Sequence, residues 1–262
     1  MRHTIVTMSR GDAARLPEWV RYHARLGFDE FHILLDNPND DSEAVLASLS
    51  AEVTITVEVK DAIGYYHPEG LTQEERLAQA DRWCEEHATE IAESGMPIVD
   101  ALSWRQYRHL PAALERYTQR GPGSGWLSVL DVDEFIVLPP GRRIADLLAG
   151  VERPRVRLTS FNMDTSNWDS HSPLLETVSQ RWSIDDMRAY GQGWPDRVKA
   201  LVRYELALPL HTVHAINRGP FERAEIEQAR VLHYKHPTLD ILPYPVEDWG
   251  ALDAWRAGEV LD

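Results

Sequence analysis

The sequence predicts an α/β fold, a sheet flanked by helices within a single domain, and three observations predict it. Strand-like apolar runs alternate with helix-periodic stretches through the N-terminal part of the chain, the pattern of a βαβαβ unit with parallel strands. The length of 262 residues is enough for one such domain and buries roughly 70–75 % of the unfolded chain's surface. Further on, Leu127 to Leu130 form the short apolar run of a strand buried on both faces, and it ends abruptly in acid at Asp131 and Asp133.

In chain order, Thr4 to Met8 read as the first strand and Arg10-Gly11-Asp12 as the turn at its carboxyl end. A helix follows from Leu16 to Leu26, with Leu16, Trp19, Val20, His23 and Leu26 near helical spacing, Pro17 in its first turn and Gly27 just past its end. Phe31 to Leu35 form the second strand, which closes on Asp36-Asn37-Pro38. Asp41 or Ser42 caps a helix to about Leu49, and Val53 to Val59 alternate as the third strand. A parallel sheet binds its ligands beyond the carboxyl ends of its strands. Asp36 therefore has two readings, a nucleotide contact or an Asx-turn before Pro38.

Thr72-x-x-Glu75 is a capping box opening an acidic helix to about Glu93, with Leu77, Ala80, Trp83, Cys84 and Ile91 on its apolar side. Trp104 to Arg120 predict a helix with Trp104, Tyr107, Leu110, Ala113, Leu114 and Tyr117 inward. Its Arg105 and Arg108 could reach a phosphate or be solvated surface charges. After the acidic strand, Pro139-Pro140-Gly141 turn the chain, Ile144 to Leu148 form a short helix and Arg155 to Phe161 another strand. Residues 162 to 198 carry Asp164, Asp169, Glu176, Asp185, Asp186 and Asp196 with little periodicity, and long irregular segments tend to be functional. Lys199 to Arg203, Thr212 to Ile216 and Val231 to Tyr234 read as late strands; the tail from Pro237 has no assignable pattern.

Charge narrows the partners. With 42 Asp and Glu against 27 Lys and Arg, the formal charge of -15 argues against nucleic acid and anionic membranes. The single cysteine, Cys84, allows no intramolecular disulfide. The apolar run Thr4 to Met8 is too short for a signal segment, and no stretch approaches the roughly 20 apolar residues of a membrane span. A soluble, cytoplasmic protein is the expectation. Most of the nine tryptophans should be core, while Trp168 and Trp194, near loops, could stack on sugar faces.

Asp131-Val132-Asp133 is the only Asp-x-Asp in the chain. In an extended backbone its two carboxylates point to the same side. Two hard oxygen ligands suit Mn²⁺ or Mg²⁺, whose shell is completed by water and substrate phosphates. The competing reading is a pair of acids flanking a turn, although a second apolar run, Phe135 to Leu138, follows at once.

Several of these segments resemble a known group. Trp126…Asp131-Val132-Asp133-Glu134-Phe135 is similar to the W-x-x-x-x-D-x-D-E-F segment of GT-A type glycosyltransferases of the family 2 and family 92 group. Glu18-Trp19-Val20-x-Tyr22-His23, Gly27-Phe28-Asp29-x-Phe31 and Asp36-Asn37 resemble that group's opening strand-helix-strand. Gln106 and Leu114 lie on a helix like its Gln-containing one, and His233-Tyr234-Lys235 resembles its late His-Tyr signature. The likeness covers about residues 4–60 and 104–138 well and the remainder loosely; residues 61–103 depart from it as a helical insertion that could cover an acceptor or form a homodimer contact.

The resemblance implies a GT-A, Rossmann-like, nucleotide-diphospho-sugar transferase fold, with residues 1–138 as the nucleotide-sugar-binding half and 139–262 as the acceptor half. It implies a metal-dependent, inverting hexosyltransferase that takes a sugar from a nucleotide-sugar donor, expected to be a UDP-sugar. The acceptor would be a glycan, small molecule or peptide. Asp131, Asp133 and His233 would hold Mn²⁺ or Mg²⁺, with His236 as a rival ligand. Asp36, Arg105, Asp131 and Lys199 would contact the donor, and His214 reads as a core histidine. Asp164 and Asp186 are the two candidates for the catalytic base. The alternatives are a nucleotide- or glycan-binding relative without activity and a metal-dependent phosphohydrolase.

Overall fold

The computed structural model describes residues 1–63, 65–66, 71, 73–165, 168–169, 172–181, 198–216, 219–234, 244–245 and 251–256. The predicted alternation is present at the start: β1 (Arg2–Ser9), α1 (Leu16–Arg25), β2 (Glu30–Asp36), α2 (Ser42–Leu49) and β3 (Thr54–Lys60). Next come helices α3 (Gln73–Glu86), α4 (Ala88–Ser94) and α5 (Ala101–Thr118), then β4 (Gly125–Val129), β5 (Glu134–Val137), α6 (Ile144–Leu148) and β6 (Arg155–Asn162). The described remainder holds α7 (Leu174–Thr177), β7 (Gln180–Arg181), β8 (Val198–Arg203), β9 (Leu210–Thr212), β10 (Ala215–Ile216), β11 (Glu222–Arg223), β12 (Arg230–His233), β13 (Tyr244–Pro245) and α8 (Ala251–Arg256).

One mixed sheet carries the fold, in the order β3-β2-β1-β4-β8-β6-β12-β5, with β11 beside β6. β1 and β2 are buried along both faces, as strands covered by helices on both sides of a sheet require, whereas the edge strand β3 is half-exposed. Ile5, Phe31, Ile33 and Leu35 face one cluster with Leu16, Trp19 and Val20 of α1. Val6, Met8 and Leu34, at the alternate positions, face a second with Leu110, Leu114 and Tyr117 of α5. Gly27, at φ 102, ends α1 in a conformation that glycine adopts without steric cost.

Three sequence expectations need correction. The acidic helix predicted to reach Glu93 is two helices separated at His87, and Leu77, expected on its apolar side, is 53% exposed; Thr72 lies outside the described residues. Asp100, not a residue near Trp104, caps α5, accepting from Ser103 N at 2.7 Å. The strand expected over Thr212 to Ile216 is divided between β9 and β10, which fold back on each other as an antiparallel pair across Val213-His214. Trp83, Ile98 and Ala101, with Trp104 packed against them, seat the insertion on the start of α5.

Among the described residues the last strand of the sheet, β5, has one edge without a partner strand, and α1 supplies hydrogen bonds there. Trp19 Nε1 donates to Glu134 O (2.9 Å) and Tyr22 Oη to Ile136 O (2.8 Å). The backbone N–H of Ile136 donates to His23 Nε2 (3.3 Å), and His23 Nδ1 in turn donates to Trp19 O (2.9 Å). His23 must be neutral to accept this bond, and burial pushes its imidazole down to about 3. The unfolded chain takes up a proton on His23 below about pH 6.5, whereas the folded chain does not until near 3. Its contribution is therefore complete above pH 6.5 and lost as pH falls. Between about pH 7.5 and about pH 5 the wild type should lose about 2 kcal/mol more stability than His23→Gln. Parallel pH profiles of the two proteins in urea unfolding would contradict this.

Candidate active site at the carboxyl edge of the sheet

Strand direction assembles the site. β1, β2, β3, β4, β6 and β12 run the same way, whereas β8 and β5 are antiparallel to their neighbours. The carboxyl ends of β2, β4, β6 and β12 therefore meet the amino ends of β8 and β5 along one edge. That edge gathers Asp36, Asp131, Asp133, Glu134, Asp164, Lys199 and His233, from strands far apart in sequence. It is where an open sheet of this kind binds ligands.

Asp131 and Asp133 are carried by a turn rather than by extended strand. Glu134 N donates to Asp131 O (3.0 Å), and Asp131 N donates to Glu134 Oε2 (2.9 Å), closing the loop on itself. Val132 is buried beneath it, and Tyr234 N donates to Asp133 O at 2.7 Å. The two carboxylates thus leave the turn toward different partners. Asp131 Oδ2 is 3.0 Å from Lys199 Nζ, which also lies 2.6 Å from Glu134 Oε2. Asp133 Oδ2 is 3.3 Å from His233 Nε2, whose Nδ1 lies 3.7 Å from Glu134 Oε1.

Charge explains this interleaving. Lys199 is fully buried, which alone would lower its ammonium's pKa, but Asp131 and Glu134 outweigh burial and raise it. Burial would likewise lower the pKa of His233, yet Asp133 and then Glu134 raise it. For Asp133 burial is opposed by His233, and the net shift is downward. Glu134 moves the other way, because burial exceeds the pull of Lys199. Among the described residues the buried Asp133 Oδ1 has no hydrogen-bond partner. No three His, Cys, Asp or Glu side chains among the described residues group closely enough to hold a metal ion alone. The donors that do converge, a carboxylate with an open oxygen and an imidazole, fit a hard or borderline divalent cation that takes its remaining ligands from phosphate and water.

Farther along the edge, Asp36 is buried and both of its oxygens are engaged. Arg105 Nε donates to Oδ2 and Tyr66 Oη to Oδ1, each at 2.7 Å. Arg105 is buried too and also donates to Ala101 O at 3.0 Å. The Tyr66 ring lies between two guanidinium groups, Arg10 at 4.2 Å and Arg105 at 4.0 Å from its centroid. Arg105 thus reaches the predicted edge as part of a buried ion pair, while Arg108 is exposed over Trp104.

Asp164 follows β6 directly and donates its N–H to Gln180 O; the preceding Met163 N donates to His233 O at 2.8 Å, so Asp164 and His233 share this end of the sheet. Asp186, Trp194 and His236 lie outside the described residues. His214 sits, half-buried, in the turn between β9 and β10. Three participants were not assigned from sequence. Glu134 was visible only as a letter of the acidic motif. Tyr66 carries no local pattern. Asp12 reads as a turn residue, yet burial pushes its carboxyl up to about 6 despite a bond from Ser9 Oγ (2.9 Å) and the Arg15 guanidinium at 3.7 Å.

No protein-family model matches the chain, and no curated protein sequence matches it. Among solved structures it is similar to S. aureus TarS 1-349 in complex with UDP-GlcNAc, at 9% identity over 90% of this chain and 59% of that one, with a TM-score of 0.44. It is also similar to core-mannan synthase A (CmsA/Ktr4) from Aspergillus fumigatus in its Mn/GDP form, at 14% identity over 63% of this chain and 44% of that one, with a TM-score of 0.32. The chain spans about half the length of these solved structures.

The buried ammonium sets a stability test. Removing one partner of a buried ion cluster leaves uncompensated charge and costs about 3–5 kcal/mol. Lys199→Met should destabilise the fold by that amount in urea unfolding. Adding Glu134→Gln should restore most of the loss. An unchanged midpoint in the single variant would show that the cluster does not hold the acidic turn.

Proposed function

We propose that this chain is a metal-dependent, inverting glycosyltransferase of the GT-A type, within the family 2 and family 92 group its motifs resemble. It moves a hexose from a nucleotide-diphosphate sugar, a UDP-sugar in the simplest case, to an acceptor hydroxyl. The observation that carries this reading is the Asp133 oxygen beside His233 that has no hydrogen-bond partner among the described residues. A set of strand-end acids lies along the same edge, in a chain of formal charge -15. A protein so acidic needs some cation to receive a diphosphate, and the open carboxylate is the place to hold it. A phosphohydrolase working through two metals would need a denser set of ligands than this edge offers.

Asp133 and His233 would hold the Mn²⁺ or Mg²⁺, with Asp131 joining them when it exchanges Lys199 for the ion. A bound divalent cation supplies Lewis-acid neutralisation of the departing diphosphate. Lys199, through Asp131 and Glu134, offsets the mutual repulsion of the acids and holds the acidic turn together. Asp36 and Arg105 lie at the nucleoside end of the edge, and Tyr66 must give up its bond to Asp36 for that carboxylate to accept from a ribose or base.

Asp164 is the described candidate for the base. It would take the proton of the acceptor hydroxyl as that oxygen bonds to the anomeric carbon, while the bond from that carbon to the diphosphate oxygen breaks and the nucleotide leaves. Asp186 remains the other candidate. Residues 1–138 form the donor half in this reading, and residues 139–262 the acceptor half.

Calorimetry tests the assignment. Asp133→Asn should raise the Mn²⁺ concentration needed for UDP binding by more than His233→Ala does, and both should raise it. Asp164→Asn should keep UDP affinity while losing about 10²–10⁴-fold in turnover if it is the base. Mn²⁺ curves matching the wild type in both metal-site variants would remove the metal assignment. Slow release of free sugar from a UDP-sugar by the wild type separates an active transferase from a binding protein.

A further inference from the structure

A cavity of about 340 Å³ opens beside the acidic edge, between the start of α1 and the segment leading to α7. Its walls include Arg15, Glu18, Trp168, Ser172, Glu176 and Trp255. This volume lies at the lower end of the ~300–1,000 Å³ of small-molecule sites. Trp168 and Trp255 are each only partly buried, and both are held in place by neighbouring groups. The Trp168 indole donates to Ser172 O at 3.0 Å. Trp255 packs edge-on against Tyr22 at 5.6 Å and carries Arg25 over its ring at 4.5 Å. Glu18 braces the opposite wall, its two oxygens accepting from Leu174 N (2.8 Å) and Leu175 N (3.0 Å).

The chemistry of this lining selects among ligands. Held indole faces match the apolar C–H face of a pyranose, and a few fixed polar groups at the rim match its hydroxyls. A phosphorylated or carboxylated ligand would need an available cation, and both arginines of the wall are already paired. Arg15 lies 3.7 Å from Asp12 and stacks on Trp168 at 4.8 Å, and Arg21 holds Glu52 through two bonds. Glu176 adds negative charge at the mouth. A neutral sugar is therefore favoured over an anionic one.

Arg15 also joins the cavity to the acidic edge. Its guanidinium belongs to the cavity wall and lies 3.7 Å from Asp12, which follows the carboxyl end of β1. A sugar seated against Trp168 would lie next to the edge where the donor is placed. We propose that the cavity between Trp168 and Trp255 is a binding site for the terminal pyranose of a neutral glycan, which serves as acceptor. The role as acceptor rests on the glycosyltransferase reading; the binding of a neutral sugar does not.

The test is ligand-observed NMR on the full chain without donor. The probes are neutral trisaccharides built from glucose, mannose or N-acetylglucosamine, with glucose 6-phosphate as the anionic control. At least one trisaccharide should bind saturably, and Trp168→Ala should weaken it by about tenfold or more. Trp168→Phe, which keeps a ring, should lose less. Glu176→Ala, on the exposed rim, gives a second reading should Trp168→Ala fail to fold, and it should weaken the same trisaccharide. Binding of no trisaccharide, wild-type affinity in the variants that fold, or equal displacement by glucose 6-phosphate would each overturn the site. UDP calorimetry on the wild type reads the donor separately. Sugar binding at Trp168 in a protein that never binds UDP would leave the cavity assigned and end its role as an acceptor site.

Discussion

Everything at the carboxyl edge depends on how β5 is held. It is the outermost strand of the sheet, and an unpartnered strand edge is normally a weak point. Here α1 lays Trp19, Tyr22 and His23 along it and satisfies the outward groups of Glu134 and Ile136. The strand is thereby fixed between β12 on one side and a helix on the other. Its first residue, Glu134, becomes a rigid post in the middle of the acidic edge. Two stretches of sequence that look like separate motifs, one in α1 and one at the end of β4, are a single mechanical unit.

Electrostatics then decides what the post supports. Glu134 receives Lys199 on one oxygen and faces His233 on the other, while Asp131 and Asp133 each share one of those basic side chains. A cluster of three acids packed this closely would repel itself apart without them. Hydrogen bonding is incomplete: among the described residues, two buried oxygens of this cluster, Asp133 Oδ1 and Glu134 Oε1, have no hydrogen-bond partner, and such atoms ask for an explanation. Asp36 differs: Arg105 and Tyr66 leave it no free oxygen, so that end of the edge must rearrange before it can accept anything.

Much of this was legible in the sequence because the signals are local. The βαβαβ opening follows from residue periodicity, and the inward positions Leu16, Trp19, Val20, His23 and Leu26 are all fully buried. Asp131 and Asp133 stood out because an apolar strand stopped at them. What escaped was set by distant neighbours. Nothing near Lys199 indicates that its ammonium is enclosed by two carboxylates from another strand, and nothing around Tyr66 indicates a bond to Asp36. The turn over Asp131 to Glu134 was legible only as the competing reading, because the apolar residues on both sides suggested extended strand. The insertion was read as one helix because its acidic periodicity runs through His87, where the helix ends.

The central claim is that this edge holds a nucleotide diphosphate and a divalent cation together, each completing the site for the other. Mn²⁺ binding followed by electron paramagnetic resonance, with and without UDP, tests it most directly. If the two share one site, UDP must tighten Mn²⁺ by the same factor by which Mn²⁺ tightens UDP. The account predicts weak Mn²⁺ binding to the protein alone and a clear gain when UDP is added, beyond what UDP achieves in buffer. Equal Mn²⁺ affinity with and without UDP, or tight Mn²⁺ binding that survives Asp133→Asn, would contradict it.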